Sequence, residues 1–334
     1  MTQVGEPIAI GMVDDDEVQC PFDHSPGKPP TVENKLVGNG TTLASRMKAG
    51  ASTHLYEPLR EKKDSIKSPK DIPTHALARG KKPVEIETID TSTGEVHTHQ
   101  YPVTCAAHHL VPAQESLKGS PLLAFMVKKG DSEQLKDTTY GDGIVWADVG
   151  YDVNGTENGV YLPGSYAVGG GRGGMGVWAE NDDHPDREDE DATDVPDPAS
   201  NLLTGALNEI SDDNRKWQYV SQSVQLAPGQ FHDRHQVYSE FIAQVLEKIA
   251  LNYEALRKQK VVEKKCPDCK KRADDIKELG VPTPFGLVAR LNGLSGRMSG
   301  HLNGSKWTAN IYTSKWGKAF MDSVGSRKRK RRGS

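Results

Sequence analysis

The 334-residue sequence predicts an α+β fold in which helices and long loops surround a small number of strands. Residues 82–104 alternate apolar and polar side chains on either side of a "TSTGE" turn, which is the pattern of a β-hairpin. Residues 235–260 repeat apolar side chains every three or four positions, which is the pattern of a long amphipathic helix. Glycine and proline are frequent, at 33 and 20 residues, and hydrophobic residues make up only 35%, so much of the chain must be loop.

The first 80 residues have little apolar periodicity and are rich in proline, glycine, lysine and serine. They predict an extended N-terminal arm with a helix near 54–64. The first residues lack the basic and then apolar pattern of a signal peptide, so we expect synthesis in the cytoplasm and export, if any, by a dedicated machine. No run of about eighteen apolar residues occurs, which predicts no membrane span.

Further helices are predicted at 112–130, 200–226 and 284–300. The helix at 235–260 has the clearest apolar stripe, and the residues of this stripe are Val237, Phe241, Val245, Leu246, Ile249, Tyr253 and Leu256. His232 and His235 stand in "FHDRH" at its start, where two imidazoles three residues apart can face one site.

Charge is distributed unevenly along the chain. The net charge is only −4, which argues against a generally basic nucleic-acid-binding protein. Residues 180–197 are strongly acidic, and we expect them on a surface loop away from any nucleic acid. The "RKRKRR" run at 327–332 suits a nuclear-import signal, a nonspecific DNA contact or a solvated chain end. The glycine-rich 169–176 lacks the Gly-Lys-Ser/Thr ending of a phosphate-binding loop and is interpreted as surface loop.

Two adjacent histidines, His108 and His109, follow an apolar β-like run in "TCAAHHLVP". Neighbouring residues on a strand point to opposite faces, so these imidazoles cannot share one role unless a ligand lies between them. Together with Asn158, His232 and His235 they form a set of imidazole and amide groups that suits a divalent cation. A histidine on the opposite face from the cation can serve as the general base that activates water.

Three separate stretches, "AHHLVP", "GYDVNGTENGVYLP" and "FHDRHQVYSEF", resemble the AHH nucleases of the HNH/endonuclease VII superfamily. The resemblance covers about residues 100–255 and includes the Asn-Gly-Val-x-Leu-Pro element around Asn158 and the His-x-x-His-x-x-Tyr element ending at Tyr238. It implies a ββα-metal core within residues 81–260. The long acidic and glycine-rich insert at about 164–230 is a departure from the family pattern.

The resemblance also implies roles for the individual residues. His108 would bind the metal, Mg²⁺ or another divalent cation, and His109 would be the general base. Asn158 would bind the metal or orient the base, and His235 with His232 would complete the metal site. The insert leaves open which of those two histidines is the ligand.

Other residues are weaker candidates for the same site. His97 and His99 on the predicted hairpin are interpreted as ordinary strand histidines. Positive side chains that could hold phosphates are Arg172, Arg234 and Lys118, and nothing in the sequence ranks them.

The function implied by the resemblance is a metal-dependent DNA endonuclease, used as a secreted antibacterial effector toxin. It implies an N-terminal delivery segment within the arm and a cognate immunity protein as partner. An RNase would use the same residues and stays open. The other alternative is a zinc-stabilised nucleic-acid-binding or adaptor protein without catalysis.

A second metal site is predicted from the cysteines. "CPFDH" supplies Cys20 and His24, and "CPDCKKR" supplies Cys266 and Cys269, which together would make a tetrahedral structural Zn²⁺ site. The site would join the N-terminal arm to a C-terminal helical part at 261–325, which precedes the basic tail at 326–334. The rival interpretation is a redox dithiol, for which the surroundings offer no βαβ pattern. Cys105 is predicted to be a small buried residue.

Overall fold

The computed structural model has separate helical and antiparallel strand regions, so the α+β class is confirmed. Among the residues that it describes, no helix is long and apolar enough to cross a membrane. The described residues are 20–23, 34–35, 38–50, 56–61, 70–78, 83–101, 103–126, 146–147, 149–165, 213–227, 229–233, 236–262, 266–274, 283–304 and 311–332.

Ten strands and six α-helices make up the regular structure of these residues. The strands are β1 (Phe22–Asp23), β2 (Asn34–Lys35), β3 (Tyr56–Glu61), β4 (Lys70–Ala78), β5 (Val84–Ile89), β6 (Val96–Tyr101), β7 (Thr104–His109), β8 (Trp146–Ala147), β9 (Gly159–Pro163) and β10 (Thr283–Pro284). The helices are α1 (Gly40–Gly50), α2 (Asp213–Leu226), α3 (Gln236–Val262), α4 (Pro267–Asp274), α5 (Leu287–Asn303) and α6 (Lys315–Arg332).

The largest sheet has four antiparallel strands in the order β3-β4-β7-β9. Two of its strands come from the first 80 residues, which therefore contribute to the sheet instead of forming only an extended arm. The helix predicted near 54–64 is wrong, because Tyr56–Glu61 is a strand. Pro58 cannot donate a helical hydrogen bond, and it stands at the bulge where the β3–β4 register shifts.

The hairpin predicted at 82–104 is confirmed. β5 and β6 pair antiparallel from Val84↔Tyr101 to Ile89↔Val96, and the turn contains Gly94 with φ 74°. This pair is a separate two-stranded sheet with no ladder to the strand that carries the adjacent histidines, although its buried side chains share a core with Cys105 of that strand.

The two faces of β7 and β9 are covered by different elements. His108 pairs with Val160, and Val160 belongs to a core built with α3 and α5. On the other face, Tyr161 packs in a second core with Leu43 of α1. A Cβ at Gly159, opposite His109, would lie only 2.5 Å from the Met47 sulfur, so glycine allows α1 to pack closely there.

The predicted helices are found with changed limits. Gln236–Val262 matches the helix predicted at 235–260, and Leu287–Asn303 matches the one at 284–300. For 200–226, the helix covers Asp213–Leu226, and residues 200–212 lie outside the described part. In place of the helix predicted at 112–130, Ala113–Leu117 and Pro121–Phe125 form two short helical turns, interrupted by Gly119 with φ 79°, and residues 127–130 lie outside the described part. The basic run at 327–332 lies within α6 and is not a separate tail.

The chain leaves the sheet after β9 at Gly164, and after the insert it returns to the same place at His232. The His232 N–H donates to the Pro163 carbonyl at 2.7 Å, and Gly164 and His232 form a parallel bridge. The chain therefore brings His232 directly beside the end of β9, although a long segment separates them in sequence. The acidic and glycine-rich parts of the insert lie outside the described residues.

Candidate active site and cysteine cluster

His108 faces the core that lies beneath α3. Its side chain is buried, at 2% exposure, and its ring contacts two other rings edge to face. The ring centroid of His232 lies 4.9 Å away and that of Tyr238 lies 5.0 Å away. The Tyr238 hydroxyl donates to the Leu110 carbonyl at 2.7 Å, so α3 is fixed against the end of β7.

The segment that carries His232 is held by backbone and side-chain hydrogen bonds. The N–H of Gln230 donates to the Leu302 carbonyl at 2.8 Å, and the Thr313 hydroxyl donates to the Phe231 carbonyl at 2.9 Å. The N–H of Asp233 donates to the Thr313 carbonyl at 3.1 Å. His232 is 7% exposed, so these bonds hold a buried imidazole beside His108.

The spacing of the His108 and His232 rings is compatible with a shared cation, and it equals the edge-to-face spacing of His108 and Tyr238. With a metal–nitrogen distance of about 2.1 Å and about 1.2 Å from nitrogen to ring centre, two imidazole ligands at about 100° have ring centres about 5 Å apart. The observed separation is 4.9 Å. Imidazole nitrogen is also a suitable donor for several divalent metals. His235, the other predicted ligand, lies outside the described residues.

His109 lies on the opposite face of β7, as the alternation of strand side chains predicts. Its Nε2 lies 3.0 Å from Oδ1 of Asn154, and the ring is half-buried beside Gly38. The same Asn154 oxygen accepts the backbone N–H of Asn39 at 2.8 Å, so it is an acceptor. The Nε2 of His109 must then be the donor, and in the neutral ring Nδ1 carries the lone pair.

Asn154 is itself held in place from two sides. Its backbone N–H donates to the Asp152 carboxylate at 3.0 Å, and Arg46 of α1 forms an ion pair with that carboxylate. Asn39, which also contacts Asn154, caps the start of α1 by accepting the Thr42 N–H at 2.8 Å. The loop before β9 and the first turns of α1 therefore fix the orientation of His109 together.

Asn158 is fully buried, and its amide hydrogen-bonds only to protein groups that hold the fold. Its oxygen accepts the Val111 N–H at 2.7 Å and the Ser295 hydroxyl at 2.9 Å. Its nitrogen donates to the carbonyls of Val111 at 3.0 Å and Val153 at 2.8 Å. These bonds use both acceptor and both donor positions of the amide, so Asn158 fixes the loop instead of presenting its oxygen to a metal.

The weaker candidates do not join this arrangement. His97 and His99 lie on the β5–β6 sheet, where His99 Nε2 lies 3.1 Å from the Thr88 hydroxyl. Lys118 is half-exposed in the turn after Leu117. Arg172 and Arg234 lie outside the described residues.

Three of the four predicted zinc ligands come together. The sulfurs of Cys20, Cys266 and Cys269 all lie within 4.8 Å of one another, and this cluster can hold a metal ion such as zinc. His24, the predicted fourth ligand, lies outside the described residues. Cys105 is buried in the sheet, as predicted, and burial raises the pKa of its thiol.

Two residues of the site were not singled out by the sequence motifs. Asn154, which orients His109, stands in the turn sequence "DVNGTENG", where an asparagine is expected for turn geometry alone. Ser295, which bonds Asn158, is on α5 and is distant in sequence from every motif. The sequence feature that points to Asn154 is its place in a turn directly before the Asn-Gly-Val-x-Leu-Pro element.

Comparisons with known proteins give no assignment for this chain. No family model matches it, and no curated protein or solved structure shows significant similarity to it. A function therefore has to be inferred from the arrangement of the site and from the short motifs.

Proposed function

We propose that this chain is a metal-dependent endonuclease that hydrolyses phosphodiester bonds in DNA. The observation that carries the proposal is the division of the adjacent histidines between two faces of β7. His108 stands beside a second buried imidazole, and His109 is oriented by an amide oxygen. A metal-binding role for His108 and a proton-accepting role for His109 fit this division.

His108 and His232 would hold the divalent cation, and His235 is the further ligand predicted from sequence. When bound, such a cation polarises the phosphodiester and stabilises the leaving 3′ oxygen. The strands β7 and β9 pair antiparallel, and α3 follows them with Tyr238 bonded to the end of β7. Two strands and a helix in this order support a ββα-metal core.

His109 would be the general base. Its Nε2–H is donated to Asn154, so Nδ1 is the nitrogen that accepts a proton from water. Asn154 is then a positioning residue, because it selects the tautomer and holds the ring. Asn158 is a positioning residue as well, since it fixes the loop between the strands without an available oxygen for the cation.

Incubation of the purified chain with supercoiled plasmid and with total RNA, with Mg²⁺, Mn²⁺ or chelator, tests the proposal. We expect metal-dependent nicking of the plasmid, and we expect His109→Ala to reduce it by about a hundredfold or more. The His108→Ala variant should lose both cleavage and metal binding at this site. His97→Ala is the matched control, because His97 is exposed on a separate sheet, and it should cleave normally.

Nicking by His109→Ala at the wild-type rate would refute the role of His109. Cleavage of RNA but not of plasmid would assign the chain to the RNase alternative. Cleavage of neither substrate, with retained DNA binding, would favour the zinc-stabilised nucleic-acid-binding or adaptor protein. That second candidate is supported by the cysteine cluster and by the basic run at the end of α6.

The role of Asn154 has a test of its own. Asn154→Asp keeps an oxygen that accepts from His109 and should retain most cleavage, whereas Asn154→Leu removes the acceptor and should reduce kcat. The pH profile of kcat should also change in the leucine variant, because the proton-accepting nitrogen is no longer fixed. Equal melting temperatures of the two variants would show that the difference is not a folding defect.

The biological setting is proposed from the resemblance alone. The chain would act as a secreted antibacterial toxin, delivered through its N-terminal part, and a cognate immunity protein would protect the producer. Expression of the wild-type chain in the cytoplasm of a bacterial host should stop growth, and His109→Ala should relieve this toxicity. Normal growth with soluble wild-type protein would contradict the toxin role but not the nuclease activity.

A further inference from the structure

The cysteine cluster joins parts of the chain that are far apart in sequence. The sulfurs of Cys20 and Cys269 lie 3.5 Å apart, although the residues are separated by 249 positions. The third sulfur, of Cys266, lies within 4.8 Å of both. None of the four cysteines of the chain, all of which are described, forms a disulfide.

The sulfur separations fit a tetrahedral metal site. Sulfurs at about 2.3 Å from Zn²⁺ and at the tetrahedral angle are about 3.8 Å from one another. The Cys20–Cys269 distance of 3.5 Å is close to this value, and the upper limit of 4.8 Å for the cluster requires only small side-chain adjustments. A disulfide would instead bring two sulfurs to about 2.05 Å and leave the third without a role.

The start of α4 places two of the three sulfurs close together. Cys266 directly precedes α4, and its sulfur accepts the Cys269 N–H at 3.4 Å across the first turn of that helix. A Cys-x-x-Cys pair at a helix start is therefore already arranged as two neighbouring metal ligands.

The surroundings suit a structural ion that is shielded from water. Cys266 and Cys269 are 7% and 2% exposed and belong to the core that includes Tyr253 of α3. Arg257 of α3 forms a bidentate ion pair with Glu254 and interacts electrostatically with Cys269. Three thiolates on a divalent cation carry a net negative charge, which this arginine would partly neutralise.

We propose that Cys20, Cys266 and Cys269 bind a structural Zn²⁺ that fastens residues 20–23 to α4 and to the C-terminal half of α3. Three cysteines leave one tetrahedral position for a further ligand. This zinc site is separate from the proposed catalytic metal site at His108 and His232. The zinc proposal does not depend on nuclease activity.

The fold itself indicates why such a connection is needed. Within the part of the chain that the structure describes, residues 20–23 pair with another strand only through the two-residue ladder Phe22↔Pro284 and Asp23↔Thr283. The Phe285 N–H supports it by donating to the Pro21 carbonyl at 3.0 Å. So short a ladder is marginal on its own. A metal bound by Cys20 on one strand's side and by Cys266 and Cys269 on the other would keep this ladder together. It would thereby hold Phe22 in the core, where its side chain is 1% exposed.

Metal analysis of the purified full chain tests the proposal. We expect about one zinc per chain, and replacement by Co²⁺ should give the thiolate-to-cobalt charge-transfer bands and the visible bands of a tetrahedral site. Cys20→Ser and Cys269→Ser should lower the zinc content and change or abolish the cobalt spectrum. Cys105→Ser is the matched control, since it removes a buried cysteine outside the cluster and should keep full zinc content.

If a cysteine variant fails to fold, zinc release can be measured on the wild-type protein while a thiol-modifying reagent is added. Zinc release in step with the modification of three thiols would support the site. The proposal would be overturned by a wild-type chain purified under reducing conditions that neither contains zinc nor binds added Zn²⁺ or Co²⁺. Full zinc retention in Cys20→Ser and Cys269→Ser, or a native disulfide between cluster cysteines in the mass spectrum, would overturn it as well.

Discussion

Asn158→Ala should destabilise the protein strongly, because the asparagine amide holds three separate segments together. It bonds Val111, two residues beyond the end of β7, Val153 in the preceding loop and Ser295 of α5. Four buried hydrogen bonds at a net value of about 1 kcal/mol each give a loss of about 4 kcal/mol. That is a large fraction of a typical unfolding free energy of about 5–15 kcal/mol.

The variant Asn158→Asp separates this structural role from metal binding. An aspartate keeps an oxygen that could bind a cation, but it loses the two donors and places negative charge beside the carbonyls of Val111 and Val153. If Asn158 acts through the fold, both variants should unfold at lower denaturant concentration and melt on the order of 10 °C lower. Ser295→Ala removes only one of the four bonds and should cost about 1 kcal/mol.

Chemical denaturation and thermal melting of the wild type and the three variants provide the measurement, with titration of Mg²⁺ or Mn²⁺ on the folded proteins beside them. The structural assignment fails if Asn158→Asp is as stable as the wild type. It fails equally if Asn158→Ala melts normally but no longer binds the cation, since that is the behaviour of a ligand.

Three further predictions concern other parts of the molecule. Gly229→Ala should cost about 1–3 kcal/mol in denaturant unfolding, because φ is 97° and the new Cβ would lie 2.8 Å from a Leu162 methyl; melting at the wild-type temperature would contradict this. Zinc removal should lower stability by about 4 kcal/mol for a site loaded at about a thousandfold above its dissociation constant, because the ion binds only the folded chain, and melting before and after chelation measures it. Burial raises the pKa of Tyr161 to about 12, whereas an unfolded tyrosine ionises near 10.0, so the unfolded state loses this proton first and stability should fall as pH rises above about 10. The same loss of stability between about pH 10 and 12 in Tyr161→Phe would contradict the last of these.

Elements with a local signal were predictable from the sequence. The hairpin at 84–101 has alternation on both sides of a glycine-containing turn, and α3 has an apolar period over its whole length. The strand β3 has neither regular alternation nor a helical apolar period, and it contains Pro58. Its strand conformation is accounted for by its pairing with β4. Pairing partners distant in sequence decide such segments, and a single sequence does not display them.

The sequence also does not determine which face of α3 is buried. The sequence has neighbouring apolar pairs such as Val237–Tyr238 and Phe241–Ile242, so either of two adjacent stripes satisfies the helical period. In the structure Tyr238 and Ile242 are fully buried, while Phe241 is only partly buried. Packing against His108 and the Leu110 carbonyl selects the stripe that contains Tyr238.

The histidine pair could be interpreted from sequence because strand alternation is a local property, but its supports could not. His232 reaches His108 only because the insert returns to Pro163, and His109 is oriented by a turn asparagine 45 residues further on. For the cysteines, by contrast, residue type and spacing alone predict a joint site, and three of the four predicted ligands do come together.

The supports of the two histidines are physically separate, and this makes the proposed division of roles accessible to mutation. His232 is held by the segment 229–233, which is bonded to α5 and to Thr313. His109 is held by Asn154 and the start of α1. Asn158 bonds groups on both sides, because it holds Val153 just before Asn154, Val111 beyond the end of β7, and Ser295 of α5. Substitutions at Asn154 should therefore affect proton transfer without loss of metal, whereas substitutions at Asn158 should weaken both functions together through the fold.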